Sequence, residues 1–261
     1  MSLWSRDCLR IGLAPGEAAL VRHRGKSRNS KTLSSGSRDW HSLMPLLEHE
    51  LADPAWQTSR AEVVLSGQYV RLALTPAPGK PLSRQEEEGL ARASFRQIYG
   101  EETAGWRVRV HSQPPRFGLV GAAIDEALAV KLEALLTQAG IKHIHVNPLV
   151  TMTSPRRAAS GWQVVAEHGW LCLLLGDNGA WRHLGCHPAG SDWRESLPGL
   201  LEREAVMAGQ MPGEMAGPIK VHVHAVGVNA GSMPPSSRWQ WHLHQHGGSS
   251  QGAMALAMSQ S

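Results

Sequence analysis

His222 and His224 sit two residues apart late in the chain, and His242, His244 and His246 repeat the spacing further on. In a strand, alternate residues share a face, so each set would line one side, and adjacent strands would bring the imidazoles within reach of one ion. Imidazole suits Zn, Ni and Cu. A lasting metal centre also wants partners that orient the rings, and the sequence identifies none, so the other reading is half-exposed strand histidines. His143 and His145 carry the same two readings. The cysteines, Cys8, Cys172 and Cys186, show no C-x-x-C spacing. This excludes a disulfide scaffold and a cysteine-rich zinc site and points to reduced, cytosolic thiols. Cys172 lies inside the apolar run 171–175, where burial is the expectation and reactivity is not. There is no phosphate-binding P-loop and no G-x-S-x-G nucleophile elbow. Gly118 and Gly121 lack the third glycine of a dinucleotide fingerprint. The acidic run Glu86-Glu87-Glu88 suits the first turn of a helix. No catalytic, cofactor-binding or metal-ligating residue is assigned from these patterns, and no cofactor is expected.

The charge balance narrows the partners. The chain has 26 Lys or Arg against 22 Asp or Glu, with a sequence pI near 9.2. Residues 1–38 hold eight of the bases and two acids, so the basic balance comes from this stretch alone. Residues 22–38, rich in Ser and without an acid, read as a mobile basic loop. Such a loop either contacts phosphates or an acidic partner, or is simply solvated. It contains no aromatic residue, which speaks against nucleic acid. The hydrophobic fraction of 42% excludes disorder. A membrane span needs ~18–20 apolar residues, and the longest runs, 119–124 and 170–175, fall far short. No apolar signal-peptide core follows Met1. A cytoplasmic location is expected, with membrane contact only through a partner.

Turns and periodicity outline the strands and helices on which these residues sit. Ala14-Pro15-Gly16-Glu17 separates two apolar runs, a β-hairpin pattern. Residues 40–51 carry apolar residues at helical spacing. Strands are expected at 61–65 and 68–74 around Ser66-Gly67. Ser83 and Glu86 form a capping box for a helix to about Tyr99. Strands at 106–110 and 117–123 follow, the second apolar throughout and therefore central. Asp125 caps a helix that Gly140 ends, and 141–146 is a further strand. A second unit follows a linker at 154–157. It has a meander at 162–166, 170–175 and 180–184, turned by His168-Gly169 and Asn178-Gly179. A helix at 192–208 and strands at 219–226 and 238–245 complete it, and 247–261 is expected to be a flexible tail. Ten Trp stand against two Phe and two Tyr. Trp239 and Trp241 share a strand face that either closes the core or exposes a docking patch.

Each half thus opens on antiparallel strands and then alternates helix and strand, an α/β plan with a cleft between the halves. With three segments this layout resembles the actin-like ATPase superfamily, and within it the PilM pilus-assembly group and the cytoplasmic part of GspL from type II secretion. The segments are Leu9-Arg10-Ile11-Gly12-Leu13, the stretch 119–144, and the stretch 162–190. The resemblance implies an actin-like (ribonuclease H-like) two-domain fold: a first domain at 1–155 with the basic loop 22–38, and a second, trimmed domain at 156–246. In active members, it implies, an Asp of a D-x-G pattern holds the metal and phosphates; the matching position is Arg10, which cannot ligate a cation. The second such turn offers only Glu167, displaced. The nucleoside loop leaves Gly227 and Gly231. ATP hydrolysis is therefore not expected. The implied function is a non-catalytic cytoplasmic scaffold of a type IV pilus or type II secretion-like assembly. Its partners would be an inner-membrane assembly protein and a motor ATPase, with no nucleic acid. The alternatives are a nucleotide-binding actin-like ATPase and a His-rich metal-binding protein.

Overall fold

The protein is described by a computed structural model covering residues 7–24, 27–152, 161–210, 217–246 and 252–258. The linker at 154–157 lies outside these residues. Strands β1 (Cys8–Ala14), β2 (Glu17–Arg24) and β3 (Ser27–Ser34) form an antiparallel meander. Helix α1 (Met44–Leu51) follows, then β4 (Arg60–Leu65), which lies parallel to β1. The chain next builds a separate antiparallel sheet from β5 (Val70–Leu74), β6 (Trp106–Ser112) and β7 (Leu119–Asp125), with α2 (Arg84–Tyr99) packed on it. Helix α3 (Glu126–Gln138) returns it to the first sheet, where β8 (His143–Pro148) pairs parallel with β4.

The second half repeats the first. Strands β9 (Gly161–Glu167), β10 (Trp170–Asp177) and β11 (Ala180–Pro188) form a meander. Helix α4 (Trp193–Met207) precedes β12 (Ile219–Val226) and β13 (Trp239–His246), both parallel to β9. The two large sheets therefore have the same order, β3-β2-β1-β4-β8 and β11-β10-β9-β12-β13. In the first, Leu9, Ile11 and Leu13 face α1 and α3 in one core. In the second, Leu171, Leu173 and Leu175 face Trp193, Leu197 and Leu201 of α4. The opposite faces meet in a third core containing Val64, Val165 and Leu174. Burial on both faces explains why β10 is apolar throughout rather than alternating.

Local signals account for the boundaries. The Ser83 hydroxyl accepts from the Glu86 N–H while the Glu86 carboxylate accepts from the Ser83 N–H, closing the capping box. Asp125 caps α3, and Gly140 follows it at φ +82°, a conformation that costs glycine little. The Ser66-Gly67 turn joins two different sheets and not a hairpin pair, because β4 is claimed by β1 and β8. Trp239 closes the core under α4, and Trp241 donates from Nε1 to the Pro234 carbonyl at 2.9 Å.

Three expectations are corrected. The basic stretch 22–38 is largely strand and not loop. Arg22 is buried and pairs with Asp7 through Nε (2.9 Å) and Nη2 (2.8 Å), and β3 is the exposed edge of the first sheet. The tail contains helix α5 (Gly252–Met258), whose Ala253, Ala255, Leu256 and Ala257 are buried between the two sheets. Gly12 makes this docking possible, because a Cβ there would collide with the Ala253 carbonyl. Finally, Cys172 and Cys186 are bonded to one another; the hairpin at Asn178-Gly179 sets them opposite each other, Cα atoms 4.2 Å apart. Cysteine usage then no longer argues for a reducing compartment. Among the described residues no helix is long and apolar enough to cross a membrane.

Candidate binding cleft

The two large sheets present their first turns toward each other. The turn joining β1 to β2 brings Ala14, Pro15 and Glu17; that joining β9 to β10 brings Glu167, His168 and Gly169. Gly227, Val228 and Asn229 follow β12, Trp193 and Arg194 open α4, and Gly252 and Leu256 of α5 complete a cavity of about 840 Å³.

Both acids in this cleft are engaged internally. The Glu17 carboxylate accepts from the Ala253 N–H at 3.3 Å, tying the first turn to α5. Glu167 is 7% exposed, and its Oε1 accepts from the Gly67 N–H at 2.6 Å. Burial pushes its carboxyl up to about 7, against the lowering pull of bonds from Ser66 and Gly67. A second link runs from Arg38 Nη2 to Gln68 Oε1 (2.7 Å) and from Gln68 Nε2 to the His168 carbonyl (2.8 Å). Arg194 donates to the Asn229 carbonyl at 2.8 Å. Tyr69, its hydroxyl on the Ala14 carbonyl at 3.1 Å, is pushed up to about 12, mainly by burial. The cleft thus carries two guanidinium groups, those of Arg38 and Arg194, each with one N–H already engaged. Among the described residues no three His, Cys, Asp or Glu side chains converge to hold an ion.

Arg10 lies outside this cleft. It sits within β1, opposite Glu62 of β4, with Nε 3.6 Å from the Glu62 carboxylate. The cleft turn comes four residues later. Glu167 is in the cleft as the resemblance implied, but turned inward. Gly227 lines it, and Gly231 lies against the Arg194 guanidinium. Sequence reading missed Glu17, Arg38, Gln68, Arg194 and Asn229. Glu17 carried a signal, since it stands directly after the Pro15-Gly16 turn; the others come together only through the folded loops.

The histidines converge elsewhere. β12 and β13 pair in register, so that His222 opposes His242 and His224 opposes His244. Burial, and then the neighbouring His244 and His246, push His224 down to about 4; His222 and His246 are lowered for the same chief reason. His143 and His145 lie exposed on β8.

No known family profile matches the sequence, and no curated protein does. Solved structures do match the fold. The cytoplasmic domain of EpsL, an inner-membrane component of the type II secretion system of Vibrio cholerae, is similar at 13% identity, covering 97% of this chain and 93% of that one, with a TM-score of 0.59. A Bacteroides thetaiotaomicron protein with an actin-like ATPase fold is similar at 12% identity, 88% and 87% coverage and a TM-score of 0.54. A PilM–PilN type IV pilus biogenesis complex is similar at 12% identity, 84% and 81% coverage and a TM-score of 0.50. The chain has the actin-like fold, built as a mixed α/β molecule of several sheets.

Proposed function

We propose that this chain is a non-catalytic docking domain of a type II secretion-like or type IV pilus-like assembly, working at the inner face of the inner membrane. The observation that carries the reading is the use of the two cleft acids: Glu17 holds α5 and Glu167 is buried against Gly67, while Arg10, at the position where the resemblance implies the metal-holding Asp, pairs with Glu62 outside the cleft. A magnesium nucleotide needs carboxylates or water-bearing oxygens free to face the phosphates, and the two cleft carboxylates already accept from Ala253 and Gly67. The shared fold with the EpsL domain and the PilM–PilN complex supports the machine. The partner is the cytoplasmic segment of an inner-membrane assembly protein, with the motor ATPase as a second contact; nucleic acid has no part in it. Arg38 and Arg194 on the cleft suit a segment carrying carboxylates or exposed carbonyls.

A photo-crosslinking residue placed at Asn229 tests this in living cells. Adducts with a pilus or secretion membrane component are expected, and adducts that include no such component overturn the reading. The competing reading, a nucleotide-binding actin-like ATPase, is favoured by the open cavity between the two turns and is decided by nucleotide titration.

A further inference from the structure

The edge of the second sheet carries a column of five imidazoles. Ring centroids step from His242 to His222 (5.0 Å), to His244 (5.4 Å), to His224 (4.8 Å) and to His246 (5.3 Å), with neighbouring planes tilted by 15° to 24°. Two pairs of ring nitrogens face each other within this column. His222 Nδ1 is 3.1 Å from His244 Nε2, and His224 Nδ1 is 3.0 Å from His246 Nε2. Two imidazoles bound to one ion at ~2.05 Å hold their nitrogens ~2.9 Å apart at a right angle and ~3.35 Å apart at the tetrahedral angle. Both pairs fall inside that span.

One pair has the orienting partner that the sequence could not reveal. Gln163 on β9 is 6% exposed, and its Oε1 lies 2.9 Å from His224 Nε2. An amide oxygen only accepts, so His224 Nε2 carries the proton and Nδ1 turns its lone pair toward His246. Fixing a ring through its far nitrogen is how proteins prepare a histidine ligand. At the other end of the column, His242 Nε2 is buried with no hydrogen-bond partner among the described residues.

We propose that His224 and His246, oriented by Gln163, form a seat for a late first-row divalent ion, with His222 and His244 as a weaker neighbouring seat. Copper(II) binds tightest of such ions to nitrogen ligands. Each seat supplies two protein nitrogens and water fills the remaining positions, because no third ligand converges there among the described residues. The proton shared between the two rings moves to Nδ1 of His246 when the ion enters. This seat is independent of the cleft and of the docking reading.

The test is titration of the untagged full chain with Cu²⁺, Ni²⁺ and Zn²⁺, each alone, by calorimetry, with electron paramagnetic resonance of the Cu²⁺ complex. Saturable binding with Cu²⁺ tightest and nitrogen hyperfine structure from two imidazoles is expected. His246→Ala, at the end of the edge strand, should weaken the tighter site at least tenfold. Gln163→Leu should weaken it ~10–100-fold while every histidine remains. His143→Ala, on the exposed β8, should change nothing. Absence of saturable binding below millimolar metal, or His246→Ala binding like the parent, overturns the proposal. Unchanged binding by folded Gln163→Leu removes the orienting role that defines the seat.

Discussion

Single residues set how the molecule responds to pH. Glu167 is raised to about 7 by burial, from an ordinary 4.5. Between those values the folded chain keeps a proton that the unfolded chain has released, so this group's contribution is complete below pH 4.5 and declines until about pH 7. The change is of the order of 3 kcal/mol. Urea denaturation from pH 4.5 to 7.5 should show that decline in the parent relative to Glu167→Gln; parallel pH profiles would refute it. His224 works in the opposite sense. Its folded value near 4 lies below the ordinary 6.5, so its contribution is present above pH 6.5 and is lost as pH falls toward 4. His224→Gln should make the acid limb shallower over that window, and an unchanged slope would contradict the burial of this ring. Neither effect was legible in the sequence. Glu167 could be seen to follow an apolar run, but its inward turn depends on Gly67, a hundred residues away.

Among the elements, α5 is one that local sequence hides. It has only seven residues, too few to be helical alone, and its burial depends on the missing side chain of Gly12 in β1. Leu256→Ala should cost ~2–5 kcal/mol of stability, as a buried leucine does. Gly12→Ala should destabilise the full chain by ~1–3 kcal/mol through overpacking, yet should be nearly neutral once residues 252–261 are removed. A cycle of denaturation measurements on the four chains checks this; equal effects with and without the segment would show that α5 does not lie on β1. β3 was hidden for another reason. Ser27–Ser34 has no apolar alternation, and only Leu33 is shielded, so its strand conformation comes from the ladder to β2. By contrast, α2 announced itself, and Ser83→Ala should cost ~1 kcal/mol by losing its cap, read as a lower thermal midpoint. The meander β9–β11 was equally legible because glycine turns punctuate it at Gly169 and Gly179.

For the whole molecule, the repeated sheet order places two hairpin turns face to face, and the cleft follows from that symmetry. The plan of the halves could be read from the succession of strands and helices. The site could not, because its side chains come from both halves and from α5. Arg10 illustrates the difference. Its type was informative, but Leu9, Ile11 and Leu13 fix the pleat of β1, and Arg10 reaches Glu62 and not the turn. Under the proposed function, the cleft of this actin-like chain is a docking surface whose two acids are already engaged. Calorimetric titration of the full chain with Mg·ATP tests this most directly: no saturable binding is predicted up to millimolar nucleotide, and micromolar binding would contradict it.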